Sequence, residues 1–142
     1  MTVSDASWSD ARGDAALRKA DALARREANE SRQAAALIAQ FVEDAQSAGI
    51  VTEALTARSY DGSTRYRTSL KGWYLKHDRS VAVDHEGHFY VLTAPPRFLS
   101  RFTGTTVAPS PPPIELGKGG RDGESMPMAT ALAKRLAGGN SW

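Results

Sequence analysis

His77, His85 and His88 stand among Asp78, Asp84 and Glu86. Imidazole titrates near neutral pH, so this grouping invites acid–base or metal chemistry. Spacing argues against pooling all three. His77 falls in the turn before a strand at Ser80–Asp84, and His85 in the turn after it. At about 3.3 Å per residue they end roughly 17 Å apart. His85 and His88 share a tight turn, and two ligands across such a turn make a poor metal site. The string HEGH also lacks the i,i+4 helical spacing of H-E-x-x-H. The three are read as polar turn residues, and neither a metal nor a cofactor is expected. No serine sits in a G-x-S-x-G turn. The chain has no cysteine, which excludes thiol chemistry, iron–sulfur clusters and disulfides.

Two further groups could bind ligands. Gly117–Ser125 reads GKGGRDGES. Backbone amides of a glycine-rich loop before a helix can cradle an anion, here with Lys118, Gly119, Gly120 and Arg121 as candidate contacts. Lys118 is followed by Gly119 rather than Ser or Thr, so the loop is not a P-loop. A solvated linker is the competing reading. The other group is Arg58, Arg65, Arg67, Lys71, Lys76 and Arg79, interleaved with Tyr66, Trp73 and Tyr74. Cations beside stacking rings suit single-stranded nucleic acid. The competing reading is that the rings form the core and the charges solubilise the outer face. No RNP, KH or helix-turn-helix signature is present.

The elements that position these groups follow from regional composition. The 142 residues make one domain with a net charge of +2, too small for a whole-molecule nucleic-acid field. Residues 1–50 are Ala-rich and net −2, while residues 51–105 hold most aromatics and are net +3. Composition thus switches from helical to sheet-like near Gly49. The predicted class is α+β: a long N-terminal helix, a three- to four-stranded antiparallel β-meander and a short C-terminal helix. Residues 1–13 read as a flexible N-terminus and 14–49 as a long amphipathic helix capped by Asp14, with Ser7, three residues before Asp10, as an alternative start. Gly49 in a left-handed conformation closes it, with Ile50 folding back. Residues 50–104 hold the meander and a short helix at Arg97–Phe102, 105–124 a Pro/Gly-rich linker, and 125–142 a C-terminal helix capped by Ser125, with a tail. Strands are expected at Ala54–Tyr60, Tyr66–Lys76, Ser80–Asp84 and His88–Ala94. A bulge at Gly72 would put Tyr66, Leu70, Trp73 and Leu75 on the core side and Arg67, Lys71, Tyr74 and Lys76 outside. Trp73 would then pack with Leu70, Leu75, Val81 and Val83 under Leu37 or Phe41.

The helix halves differ. Ala34, Leu37, Ile38, Phe41, Val42 and Ala45 make a broad apolar face for the sheet. The first half offers the narrower stripe of Leu17, Ala20, Ala24 and Ala28 within charged surroundings. From Ala28 onward the apolar steps run in a heptad-like, coiled-coil rhythm. The acid-first pairs Asp14–Arg18 and Asp21–Arg25 are set to support the helix.

The string Gly72-Trp73-Tyr74-Leu75 with Asp78-Arg79-Ser80 resembles part of the signature of WYL domains, ligand-sensing β-barrels of bacterial regulators. The arginine-rich strand of that family is replaced here by His88-Phe89-Tyr90-Val91-Leu92, so its function does not carry over. The wider pattern, over roughly residues 40–137, resembles small uncharacterised proteins of high-GC actinobacteria, which implies no activity. No apolar run approaches a membrane span, and the N-terminus lacks an apolar signal region, so a cytoplasmic location is expected. The reading is a non-enzymatic interaction or regulatory protein that forms a homodimer, or docks on a partner protein, through its helix. Nucleic-acid association through the basic face is the alternative. Anion or small-ligand binding at the glycine-rich loop is the third reading.

Overall fold

The computed structural model describes residues 4–94, 107–117 and 125–142. The first element is α1 (Ser4–Ser47). It begins well before the expected Asp14 cap, so residues 4–13 are helical rather than a flexible lead. Ala11, Ala15 and Ala16 flank Gly13, and these strong helix formers offset the roughly 1 kcal/mol penalty of one interior glycine. The C-terminus ends as the residues foretell. Gly49 has φ 71°. The Ile50 amide donates to Ala45 O and the Gly49 amide to Gln46 O. This double bond pattern satisfies the last carbonyls and turns buried Ile50 onto the helix.

Five strands form the main sheet: β1 (Glu53–Ser59), β2 (Arg65–Tyr74), β3 (Val81–Asp84), β4 (Phe89–Val91) and β5 (Thr93–Ala94). Their order is β4-β3-β2-β1-β5. The predicted fourth strand is therefore split in two. β4 pairs antiparallel with β3, while β5 pairs parallel with β1 at the other edge. Leu92 joins them. Its amide donates to Ser80 O and its carbonyl accepts from the Arg58 amide, both at 2.8 Å. The sheet curls until its two edges share this residue.

Curling creates two apolar clusters. Trp73, Leu75, Val83 and Phe89 face α1, packing on Ala34, Ile38, Phe41, Val42 and Ala45. Leu55, Tyr74, Ala82, Tyr90 and Leu92 pack together in the second cluster, with Leu70 against it. Two expectations change. Pairing runs regularly through Gly72↔Asp84, Trp73↔Val83 and Tyr74↔Ala82, so there is no bulge at Gly72. The register shift lies instead between Ala54 and Thr56 on β1. Tyr74 is buried rather than outward, and Leu70 sits with it rather than with Trp73. The mixed pattern of β2 reflects a strand buried on both faces at one end, where alternation no longer separates apolar from polar. Phe41, not the exposed Leu37, covers Trp73, edge-on with ring centroids 5.6 Å apart.

The C-terminal part closes over α1. β6 (Glu115–Leu116) pairs with β7 (Met126–Pro127), and α2 (Met128–Gly138) follows. Ser125 does not cap α2. The Met128 amide donates to Ile114 O, so the neighbouring backbone satisfies the helix start. Met128, Ala131 and Leu132 are buried against α1 and the sheet, with Leu136 packed beside them. The expected linker packs where it is described: Val107 and Leu116 are buried, and the Ser110 amide donates to Phe89 O. The short helix expected at Arg97–Phe102 lies outside the described residues. No described helix is long and apolar enough to cross a membrane.

Two substitutions probe the central strand. Trp73 is 1% exposed and donates its indole N–H to Ile50 O. Trp73→Ala should cost about 3–5 kcal/mol in urea unfolding. At Gly72 a Cβ would collide with the Val83 carbonyl, its carbon atom 2.9 Å away. That neighbour is backbone and cannot swing aside, so Gly72→Ala should cost at least about 1–3 kcal/mol in the same measurement.

Candidate functional site

Closure at Leu92 brings distant basic residues together. Arg58 on β1 and Ser80 beside β3 both hydrogen-bond Leu92. They are therefore about two strand spacings, some 10 Å, apart. Arg79 adjoins Ser80, and Arg65 on β2 is the register partner of Arg58. A cavity of about 300 Å³ lies between Thr56, Arg58, Arg65, Tyr74, His77 and Arg79.

Local detail shapes this cleft. The Arg79 amide donates to Lys76 O, closing the turn between β2 and β3. Arg79 has φ 61°, the one non-glycine residue in the left-handed region among those described. That conformation disfavours a Cβ, and turns commonly place glycine there. The guanidinium carbon lies 5.4 Å from the Tyr74 ring centroid, within cation–π reach. The Tyr74 hydroxyl accepts the Thr56 amide at 2.8 Å and keeps its own proton to donate. Asp78 lines the adjoining cavity with Arg58. Its carboxylate, however, accepts from the Ser80 amide and hydroxyl and pairs with Lys76 at 3.5 Å. Burial would raise the Asp78 carboxyl, but the Ser80 bonds and the Lys76 charge outweigh it and hold the group low. None of Arg58, Arg65 and Arg79 forms an ion pair with another described residue.

The structure thus gathers half of the basic residues singled out in the sequence. Arg67 and Lys71 are exposed farther along β2, opposite Thr56 and Ala54. Lys76 turns to Asp78. Of the three rings, Trp73 and Tyr74 are buried, with Arg79 over Tyr74, and Tyr66 is half-buried. Lys118, Gly119, Gly120 and Arg121 lie outside the described residues. Leu17, Ala20, Ala24 and Ala28 are all exposed on α1.

The histidines separate. The His77 ring stacks on Trp142, with centroids 4.1 Å apart. His85 is exposed beside Glu86. His88 donates its amide to Asp84 Oδ1 and places Nδ1 3.1 Å from Asp84 Oδ2. Asp84 Oδ2 also accepts the Tyr90 hydroxyl at 2.8 Å. This buried carboxylate ties the β3–β4 turn to the second apolar cluster. Among the described residues no group of three or more His, Asp or Glu side chains is placed to hold a metal ion.

Sequence reading missed the C-terminal clamp. Asn140 donates to Gly49 O and accepts the Val51 amide, pinning the chain end to the end of α1. Buried Arg135 donates to Gly139 O and lies 4.7 Å from the Trp142 ring centroid. Asn and Trp beside Gly138-Gly139 look like an ordinary polar tail, and no spacing signals this long-range pairing. Compared with protein-family models, curated proteins and solved structures, the chain matches none.

The Asp84 tie has a pH signature. Burial would raise its carboxyl, but the His88 amide, the Tyr90 hydroxyl, the His88 ring and the Glu86 amide hold it below the usual range. Tyr90 is pushed up to about 12 by burial first, then by its bond to Asp84 and the charges of Asp84 and Glu86. A depressed carboxyl stabilises the fold above its unfolded pKa of about 3.9, and this stability is lost as pH falls through the folded pKa. Asp84→Asn should cost about 1–3 kcal/mol at neutral pH. Its stability should also fall less steeply than wild type below about pH 4 in pH-dependent urea titrations.

Proposed function

We propose that this is a non-enzymatic interaction protein that pairs with a second copy of itself through the first half of α1. What carries the reading is the exposure of that half. Every residue from 7 to 29 is exposed, including Trp8, Leu17 and Leu23. These residues span about 35 Å of helix, and in proteins most helical stability comes from packing of an apolar face, which this half lacks within its own chain's described residues.

The face has a definite direction. Ala20 precedes Ile38 by eighteen residues, which is five turns, so both lie on the same side. Leu17, Leu23 and Ala24 flank that line, and Ala28 lies about a quarter turn off it. The stripe overhangs the sheet on the side where α1 meets it lower down. The small and apolar positions are symmetric about Ala20, which favours a second copy as occupant. Asp14, Arg18, Asp21 and Arg25 form no ion pairs among the described residues. An antiparallel pair centred on Ala20 brings Leu17 level with Leu23 and Ala16 level with Ala24 across the seam. Antiparallel two-fold pairing is therefore the self-complementary arrangement. Small residues at the centre let the helices approach closely.

Light scattering during size-exclusion chromatography should report a dimer at micromolar concentration. Leu17→Glu with Ala24→Glu should give a monomer whose sheet keeps its urea midpoint, because neither residue touches the sheet. A wild-type monomer throughout this range would refute self-association.

A further inference from the structure

We propose that the cleft between Arg58, Arg65 and Arg79 binds the phosphate group of a small phosphomonoester. Two locally unfavourable choices coincide there. Arg58 and Arg65 are direct cross-strand partners, an arrangement in which like charges repel. Arg79 holds a left-handed backbone at φ 61°, a position suited to glycine. Among the described residues none of the three guanidiniums pairs with a carboxylate, so the repulsion is not relieved there. A dianion seated between them removes the repulsion and makes use of the strained turn.

The geometry selects the ligand class. Three guanidiniums match the three terminal oxygens of a phosphomonoester, and each can donate two parallel N–H bonds. Tyr74 adds an O–H donor from the cleft wall. The cavity of about 300 Å³ suits a small molecule. A nucleic-acid strand is a poorer match. Arg67 and Lys71 lie outside the cleft, so the charges do not line a continuous backbone track. Of the rings interleaved with these cations, Trp73 and Tyr74 are buried, and only Tyr66 is partly accessible. This site does not depend on pairing through α1.

Isothermal titration with phenyl phosphate tests the proposal, with phenyl sulfonate and a single-stranded oligonucleotide lacking a terminal phosphate as comparison probes. Phenyl phosphate should bind and raise the melting midpoint, and should bind more tightly than the other two. Arg58→Gln and Arg79→Gly should each weaken it about tenfold or more. Arg67→Gln should leave it within about twofold, as expected for a residue outside the cleft. Arg79→Gly places the favoured residue at a left-handed position, so the fold should survive and the loss reports on binding. Absence of binding would overturn the proposal. Equal weakening by Arg67→Gln would do so too, by revealing diffuse attraction, as would tighter binding of the oligonucleotide.

Discussion

Sheet closure at Leu92 is the constraint on which the rest of the molecule depends. One residue gives its amide to the strand side of Ser80 and its carbonyl to Arg58. The chain between β4 and β5 thereby satisfies both edges of a sheet that would otherwise expose them. Open edges invite pairing with other chains, and closure removes that hazard without a sixth strand. It also fixes the curvature. The backbones of β2 and β3 meet closely at Gly72, where no side chain fits.

Curvature divides the apolar residues into two sets. Trp73 faces α1, and its neighbour Tyr74 faces the second cluster. Each set is anchored by a polar bond from an aromatic ring: the Trp73 indole to Ile50 O, and the Tyr74 hydroxyl to the Thr56 amide. Rings with a polar handle can be buried at little cost when the handle is satisfied. Trp73 thus connects the sheet to the end of α1, where Asn140 also binds the backbone on both sides of Ile50. The helix, the sheet and the C-terminus are held at one junction. Residues 7–29 of α1 extend beyond it, exposed.

Most of the elements were legible in the residues. Gly49-Ile50 marks the end of α1 because a left-handed glycine and a following apolar residue form a self-sufficient stop. The β2–β3–β4 hairpins follow from Asp78-Arg79 and Glu86-Gly87 between apolar runs. The facing of β2 was not legible. A strand buried on two sides has no polar face from which its orientation can be read. The start of α2 was obscured for a related reason: Ser125 is a good local cap, but the Ile114 carbonyl satisfies the helix start from another part of the chain.

The sequence by itself determined the α+β class, the long helix and its two unlike halves, the hairpin turns and the reservoir of basic side chains. Each follows from short-range chemistry: propensity, periodicity, caps and turn residues. Tertiary structure alone decided which basic residues meet. Arg58, Arg65 and Arg79 converge because β5 returns to β1, while Arg67 and Lys71 from the same strand remain outside. That return is a parallel pairing of two residues, too short to leave a pattern in composition. Its free energy comes from closing the sheet as a whole, a cooperative, non-local effect that no local segment encodes.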